Sequence, residues 1–216
     1  MIQYKCTDRL GVMSDTSDGR LVRGEQRRTL VLDAAVKVVA ESGSGALTHR
    51  AAAAGAGVSV ASVTYHFPSI GDLRQAMFEH AGSRVGLAFR AIIEAGGSLT
   101  DDVPEICGTF AASLVTERRV DTSAVLEMIL AAGHDPCLRP LVTFFSDRLG
   151  ELLTPYTGGR LRALTVAAAI QGLVLVHLSQ SDAETTREVH DSVVDLVRRY
   201  RAAHDAGTPA SGPEPS

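Results

Sequence analysis

The stretch from Leu47 to Phe67 restricts the possible folds of this chain more than any other stretch. Thr48 is a suitable N-cap, because its hydroxyl oxygen can accept a hydrogen bond from the unpaired N–H groups at a helix start. The alanines that follow favour a helix, and Gly57 can end it, since glycine adopts the left-handed conformation of a helix end without strain. Ser59 can then cap a second helix that turns Val63 inward. The stretch therefore predicts two short helices that cross steeply at a tight turn.

The flanking sequence favours the helix-turn-helix of a DNA-binding head over an ordinary helical corner. Before the turn, apolar residues fall at helical intervals from Leu30 to Val39, which predicts a first helix with one buried stripe. After it, Ser69 can cap a further helix that has Asp72 at its favourable third position. That further helix is long, and we expect it to join the head to the rest of the chain.

Several short motifs make this region similar to a known family. They are the Glu-Ser-Gly that ends the first helix at 41–43, Leu47-Thr48, the run AAGAGVS at 53–59, and TYHFPS at 64–69 followed by Asp72-Leu73. Through these motifs the segment from Gly24 to Arg84 resembles the DNA-binding domain of the tetracycline-repressor (TetR) family of bacterial transcription regulators. Two positions depart from the family pattern. Ala52 replaces a bulkier aliphatic residue, and Ile70 stands where a lysine often contacts phosphate.

The resemblance implies an all-α fold, with an N-terminal helix-turn-helix head of three helices and a larger C-terminal helical domain for ligand binding and dimerisation. We expect a disordered arm over 1–22, the DNA-binding domain over 23–84, the helical domain over 85–204 and a disordered tail over 205–216. The arm and the tail are polar and show no helical period. Met13 looks like a more natural start than Met1, and both starts stay open.

The distribution of charge indicates that only the head meets an anionic partner. The whole chain has a formal net charge of −4. Residues 20–84 carry eight Arg or Lys against five Asp or Glu, a balance of +3, whereas residues 85–216 carry eleven against seventeen, a balance of −6. A basic head on an acidic body is typical of a protein that presents one end to phosphates.

The resemblance also implies roles for individual side chains of the head, whose second motif helix would enter the major groove. The base-facing positions are Arg50, Val60, Ala61, Ser62 and His66, and the phosphate-facing positions are Thr48, His49, Thr64 and Tyr65. Arg27 and Arg28 join them because cations at a helix N-terminus oppose the helix dipole, which indicates an anionic partner. A solvated basic face is the alternative for these arginines, and a structural histidine is the alternative for His66.

Arg50 is the best candidate for a bidentate contact to guanine, whereas Val60 and Ala61 can offer only apolar contact, for example to a thymine methyl group. Base readout by this helix would therefore be sparse, and the shape of the DNA would supply part of the specificity.

Other classes of protein find little support. Cys6, Cys107 and Cys137 have no paired spacing, which argues against a disulfide framework and against a zinc site. The histidines lack metal-ligand spacing, and the glycines at Gly55 and Gly57 do not follow a strand, as a dinucleotide fingerprint requires. We therefore expect no metal, no cofactor and no catalytic residues, and we do not expect an enzyme.

The longest apolar stretch, from Ala163 to Leu178, is interrupted by Gln171 and His177. It is also shorter than the roughly 20 residues that span a bilayer. We expect a cytoplasmic protein with no membrane partner.

The body offers two candidate sites. An apolar pocket between helices is the first, although a plain core is the favoured interpretation of any one of its candidate residues: Cys107, Phe110, Met128, Phe144, Phe145 and His177. The last two helices would pair with their symmetry mates, as the resemblance implies, in a dimer interface that includes Ala168, Gly172, Leu175, Val193 and Val197. Small residues there allow the close approach of helix backbones.

The sequence thus predicts a dimeric, sequence-specific transcriptional regulator that binds a palindromic operator in double-stranded DNA. We expect a repressor that an unknown small, largely apolar effector releases from its operator. The alternative is a small-molecule-binding helical protein with a degenerate DNA-binding head. The ligand, the operator and the sign of regulation stay open.

Overall fold

A computed structural model describes residues 18–95, 103–180 and 182–207 of the chain. Most of the predicted arm and most of the predicted tail lie outside these ranges. Where the described ranges overlap the predicted arm and tail, the structure differs from the prediction. The first helix begins at Asp18, inside the predicted arm, and the last helix extends to Gly207, inside the predicted tail.

Within the described ranges every long regular element is a helix, which confirms the predicted all-α fold. The α-helices of the described residues are α1 (Asp18–Ser42), α2 (His49–Ala56), α3 (Val60–His66), α4 (Ile70–Ala95), α5 (Val103–Val115), α6 (Arg119–Ala131), α7 (Arg139–Thr157), α8 (Arg160–His177) and α9 (Ala183–Gly207). Two short 3-10 turns, Ser44–Ala46 and Pro136–Leu138, precede α2 and α7.

The helix-turn-helix forms through the local interactions that the sequence predicts. The hydroxyl oxygen of Thr48 accepts a hydrogen bond from the N–H of Ala51 at 3.0 Å, and that of Ser59 accepts from the N–H of Ser62 at 3.2 Å. Gly57 ends α2 with φ 66° and ψ 30°, in the left-handed conformation. Each of these bonds satisfies a backbone group that a helix end leaves unpaired.

Helix α4 begins with a reciprocal capping box. The side-chain oxygen of Ser69 accepts from the N–H of Asp72 at 3.1 Å, and the carboxylate of Asp72 accepts from the N–H of Ser69 at 2.9 Å. The Ser69 hydroxyl also donates to this carboxylate at 2.7 Å, and this bond, together with the one from the Ser69 N–H, lowers the pKa of Asp72. The box fixes the start of the long helix that runs from the head into the body.

The core of the head continues into the body. Helices α1 to α4 enclose a buried cluster that includes Val31, Leu47, Val63, Leu73 and Met77, and α6 adds Ala124, Val125 and Met128 to the same cluster. The predicted boundary after residue 84 falls inside α4, and the structure shows that α6 packs against both α1 and α4. The head is therefore supported from behind by a helix of the body.

A second core holds the body together. Helices α5, α8 and α9 pack around a buried cluster that contains Phe89, Cys107, Phe110, Ile170 and Val189. Among the described helices, α8 alone is long and apolar enough to cross a membrane by length and composition, a test that core helices of soluble proteins also pass.

The shared core gives a first prediction. Leu73 is fully buried in the head core, near the start of α4. Leu73→Ala should lower the free energy of unfolding by about 2–5 kcal/mol, because it removes buried methyl groups and leaves a cavity. Leu30→Ala, at an exposed position of α1, is the matched control and should cost less than about 0.5 kcal/mol. Urea unfolding followed by circular dichroism measures both, and equal losses would contradict the assigned core.

Candidate DNA-binding head and ligand cavity

Helix α3 has one side in the head core and the other in solvent. Val63 is fully buried, whereas Val60 is 43% exposed and Tyr65 is 83% exposed. Ala61 and Thr64 are also exposed, and Ser62 is half-buried. The exposed side chains form a continuous surface on a helix whose own N-terminus is capped by a serine, so α3 can lie against another molecule along its length.

Two residues at the start of α2 extend this surface. Thr48 and Arg50 are both exposed. The hydroxyl of Thr48 accepts the capping bond and keeps its own proton free to donate. The guanidinium of Arg50 pairs with no carboxylate in the described part of the chain, so all of its donors remain available to a ligand.

The side chains of two predicted contact residues, His49 and Thr64, are engaged within the head. The Nε2–H of half-buried His49 donates to the carbonyl oxygen of Phe67 at 2.8 Å, which ties α2 to the end of α3. The hydroxyl of Thr64 donates to the carbonyl oxygens of Val60 and Ala61. To contact a phosphate as predicted, His49 would have to give up the hydrogen bond that holds the two helices together. Thr64 can only accept a hydrogen bond from a partner, because its own proton is already donated.

The basic and aromatic side chains beside α3 are also ordered by their neighbours. The guanidinium of Arg28 lies 5.4 Å from the centre of the Phe67 ring and 3.6 Å from the carboxylate of Glu25. Arg27 is exposed. The half-buried His66 packs edge-on against Tyr65, with ring centres 5.2 Å apart. The contact between Arg28 and Phe67 has no signal in the sequence, because it joins residues from different helices.

A cavity of about 620 Å³ lies between α4 and the helices of the body. Its wall is largely apolar. The lining residues are Gly82, Ser83, Val85, Gly86, Leu87, Phe89 and Arg90 of α4, Phe110 and Leu114 of α5, Thr122, Val125 and Leu126 of α6, Phe144, Phe145, Arg148, Leu149, Glu151 and Leu152 of α7, and Ile170, Gln171 and Val174 of α8.

The cavity contains three of the six residues that the sequence suggested for a pocket, namely Phe110, Phe144 and Phe145. The other three lie elsewhere, which corrects the predicted set. Cys107 is fully buried in the second core, where desolvation raises the pKa of its thiol to about 12. Met128 is buried in the head core. The Nδ1–H of His177 donates to the carbonyl oxygen of Leu173 at 2.7 Å, at the end of α8.

The contribution of α4 to the cavity is missing from the sequence prediction. Gly82 is the residue that permits it, because a Cβ atom at this position would clash with the ring of Phe145. The ring instead lies against the backbone of α4 and packs edge-on against Phe78, with ring centres 5.4 Å apart. A glycine inside a helical pattern indicates such a close approach, but it does not show which residue approaches.

A chain of ion pairs joins the head to the body beside this cavity. Asp33 of α1 accepts from His80 at 2.9 Å and from Arg84 at 2.6 Å, both on α4. Arg84 also reaches the carboxylate of Asp121, at the start of α6, at 3.2 Å. Asp121 is buried, and its second oxygen has no hydrogen-bond partner among the described residues.

The predicted dimer residues divide into two groups. Ala168, Gly172 and Leu175 lie on an exposed face of α8. Leu161 and Val176 on the same helix are also exposed, so this face is apolar. The predicted interface positions Val193 and Val197 of α9 are fully buried in the second core. This is a correction, since the amphipathic pattern of α9 reflects packing within one protomer.

In the described ranges no group of three or more His, Cys, Asp or Glu side chains is placed to hold a metal ion. A capped helix-turn-helix with an exposed second helix, carried on a helical body, defines the class of helix-turn-helix transcriptional regulators.

Comparison with known proteins identifies the family. The family described as bacterial regulatory proteins, tetR family, matches residues 31–77, and the tetracyclin repressor-like C-terminal domain matches residues 101–203. The chain belongs to the TetR family, whose members are transcriptional regulators and not enzymes. Regulators of this family bind DNA, dimerise and bind small molecules.

Solved structures agree with this assignment. A member of the TetR family from Streptomyces coelicolor A3 is 30% identical, with a TM-score of 0.60, and the match covers 78% of this chain and 98% of that one. The multidrug binding protein EbrR complexed with ethidium is 28% identical, with a TM-score of 0.60 and coverage of 79% and 98%. A transcriptional regulator from Rhodococcus sp. Rha1 is 16% identical, with a TM-score of 0.67, and the match covers 81% of this chain and 96% of that one. At this identity the similarity shows the fold alone. Among proteins with curated descriptions, none matches the chain.

The buried carboxyl of Asp121, at one end of the chain of ion pairs, gives a prediction about how stability depends on pH. Burial raises the pKa of Asp121 above its ordinary value of 3.8, against the opposing attraction of Arg84. When folding raises the pKa of a carboxyl, its protonated form stabilises the folded protein. This contribution is fully present at a pH below the pKa of the unfolded chain, and it is lost as the pH rises through the pKa of the folded protein. Asp121→Asn imitates the protonated form at every pH. We therefore expect the wild type to lose stability relative to Asp121→Asn as the pH rises from about 4 to about 7.

Urea midpoints of the two proteins, measured across this range, check the expectation. A difference that stays constant would show that the carboxyl is not perturbed. A difference of the opposite sign would show that attraction to Arg84 outweighs burial.

Proposed function

We propose that this chain is a homodimeric repressor that binds a palindromic operator and is released from it by a small, largely apolar ligand. The observation that carries the proposal is that the ligand cavity and the head core share a wall. Val125 of α6 belongs to the head core and also lines the cavity, and Phe145 does both from α7. A molecule that fills the cavity would press on side chains that support the DNA-binding head.

The exposed surface of the head supports the DNA-binding part of the proposal. The major groove of DNA admits a helix, and α3 has the exposed face that such docking requires. In this placement Arg50 reads a guanine edge, Val60 and Ala61 make apolar contacts with bases, and Tyr65 bonds a phosphate. An operator-binding protein works where the chromosome is, so the proposal also assigns the chain to the cytoplasm.

The chemistry of the cavity supports the ligand part. Most of the lining side chains are aliphatic or aromatic. The charged pair of Arg148 and Glu151 is exposed and already joined by a hydrogen bond of 3.1 Å. An apolar molecule can replace water against such a wall at a gain in free energy. The similar protein EbrR is a multidrug binding protein that has been solved with ethidium.

A second candidate function is a small-molecule-binding protein whose head no longer reads DNA. The observation in its favour is that His49 and Thr64 are engaged within the head. In addition, Ile70 is partly buried against the head core, at a position where the family often has a lysine. Measurement of binding to the DNA beside the protein's own gene, at several salt concentrations, distinguishes the two functions.

Substitutions in the head test the docking. Arg50→Ala should weaken binding to the operator by about 1–3 kcal/mol and relax the preference at one base pair, because it removes a bidentate base contact. Tyr65→Phe should weaken binding to all sequences about equally, since a phosphate contact carries no sequence information. Fluorescence anisotropy with operator and scrambled DNA measures both effects.

Lys37→Ala is the matched control, because Lys37 is an exposed cation of the head with no assigned role. It should change operator affinity less than Arg50→Ala does. Operator affinity that is unchanged in both Arg50→Ala and Tyr65→Phe would rule out this docking, and binding that does not depend on salt in the wild type would favour the second function.

The exposed face of α8 supports dimerisation with a second copy of the chain. Leu161 is 80% exposed and Leu175 is 47% exposed, while Ala168 and Gly172 between them present almost no side chain. Small residues of this kind let two helix backbones approach closely when the same faces pack across a two-fold axis. One head alone would bind little better than non-specifically, so two heads held together are needed to engage successive major grooves.

A charge on this face should separate the protomers. Ala168→Glu would bury an unpaired carboxylate in the proposed seam, which is strongly disfavoured. We expect a monomer whose operator affinity is lower by a factor of about 10²–10⁴, because the second head no longer binds at a high effective concentration. Light scattering and anisotropy measure mass and affinity. Ala91→Glu, at an exposed alanine of α4, is the control and should remain dimeric. A folded Ala168→Glu monomer with wild-type affinity would rule out the mechanism.

A further inference from the structure

The residues that line the cavity are exposed to solvent on one side of it only. Every exposed lining residue belongs to α4 or to α7, and they are Ser83, Leu87 and Arg90 of α4 and Phe144, Arg148 and Glu151 of α7. The lining residues of α5 and α6 are all buried, and those of α8 are buried apart from the half-buried Gln171. The cavity therefore opens to solvent between α4 and α7, and α5, α6 and α8 form its closed floor.

Two glycines of α4 show where along the helix this opening lies. Gly82 and Gly86 are four residues apart, so they lie one turn apart on the same face of the helix. A Cβ atom on Gly82 would overlap the ring of Phe145. A Cβ atom on Gly86 would meet no atom within 4 Å in the described part of the chain. The helices α4 and α7 are therefore in contact at Gly82 and leave open space one turn further on.

Two large apolar side chains border the same space. Leu87 of α4 is 60% exposed, Phe144 of α7 is 61% exposed, and both line the cavity. They continue the apolar wall of the cavity outwards to the protein surface. A compound that passes between them covers apolar surface that is otherwise in contact with water, which is favourable. The opening bordered by Gly86, Leu87 and Phe144 is called the mouth of the cavity below.

We propose that ligands enter the cavity through this mouth, and that the missing side chain at Gly86 determines how wide a compound is admitted. The inference rests on the proposed function, which it extends from the cavity to the route into it. Gly86 faces the same side of α4 as Gly82, whose own face is covered by α7, so a side chain at position 86 would project into the opening. Affinity then comes from the buried floor, and selection by size comes from the mouth.

The test follows the rates at which two apolar dyes enter and leave the full-length protein. N-Phenyl-1-naphthylamine and the larger Nile red both fluoresce more strongly in apolar surroundings, so stopped-flow fluorescence measures their association and dissociation. Gly86→Leu places a side chain in the mouth, and Phe144→Ala removes one from it. Gly24→Leu is the matched control, because Gly24 of α1 does not line the cavity and its Cβ atom would also meet no described atom within 4 Å.

We expect Gly86→Leu to slow both the association and the dissociation of N-phenyl-1-naphthylamine by about tenfold, because every molecule passes the narrowed mouth in both directions. The slowing should be greater for Nile red. The dissociation constants should change less than either rate, since an obstacle on the path raises the barrier to entry and to exit alike. Phe144→Ala should speed both rates, and Gly24→Leu should leave them unchanged.

Thermal unfolding followed by circular dichroism checks that the space beside Gly86 is open. Gly86→Leu should melt at or above the wild-type temperature, because leucine favours a helix more than glycine does and displaces no atom here. A melting temperature below that of the wild type would show that this space is filled, and it would overturn the proposed entrance.

Association rates equal to those of the wild type in both Gly86→Leu and Phe144→Ala would also overturn the entrance. The proposed function would then stand, since ligands would reach the cavity by another route. If neither dye bound the wild type, the proposed ligand and the entrance would both be contradicted. Release of operator DNA by the dyes is measured separately by fluorescence anisotropy. Slow entry in Gly86→Leu, together with no release from the wild type, would support the entrance and contradict the repressor mechanism alone.

Discussion

Helix α6 packs against the head on one side and lines the cavity on the other, and both contacts meet at Val125. Protein interiors are close-packed, so a side chain that is touched from two sides cannot move towards one without affecting the other. Met128, one turn further along α6, is buried in the head core, while Leu126 lines the cavity. The head therefore has no core of its own that could stay unchanged while the body rearranges. This single helix explains why a boundary drawn between the head and the body at residue 84 has no counterpart in the packing.

The ion pairs around Arg84 connect the same helices through polar contacts. The guanidinium lies between the carboxylates of Asp33 and Asp121, so one side chain of α4 holds α1 and α6 together. Burial disfavours the charge on Asp121, and its second oxygen is unpaired. The arrangement is therefore not at its electrostatic optimum, because part of the cost of desolvating Asp121 is not recovered.

The parts of the structure that the sequence predicts correctly are those whose causes are local. The caps at Thr48, Ser59 and Ser69 and the left-handed Gly57 depend on residues within a few positions of each other, and the structure confirms all four. The parts that differ depend on which helices become neighbours. The apolar period of α9 is correct, but a period does not specify whether Val193 meets its own chain or a second one. In the same way, His49 resembles a surface histidine until Phe67 is brought beside it by the turn.

The two sides of α8 differ in whether the protomer itself covers them. The helix is apolar nearly all round, a pattern that requires burial on most sides. Within one protomer only the side that carries Ala163, Val166 and Ile170 is covered. The other side is exposed, although its residues are no more polar. In the proposed dimer, its own symmetry mate would cover that side. The helices α4 and α6 would then be the elements through which a ligand acts on the heads, because both contact the cavity and the head core. Because the second head must meet the next major groove at a fixed distance, a small change in either helix would be enough to prevent both heads from binding together.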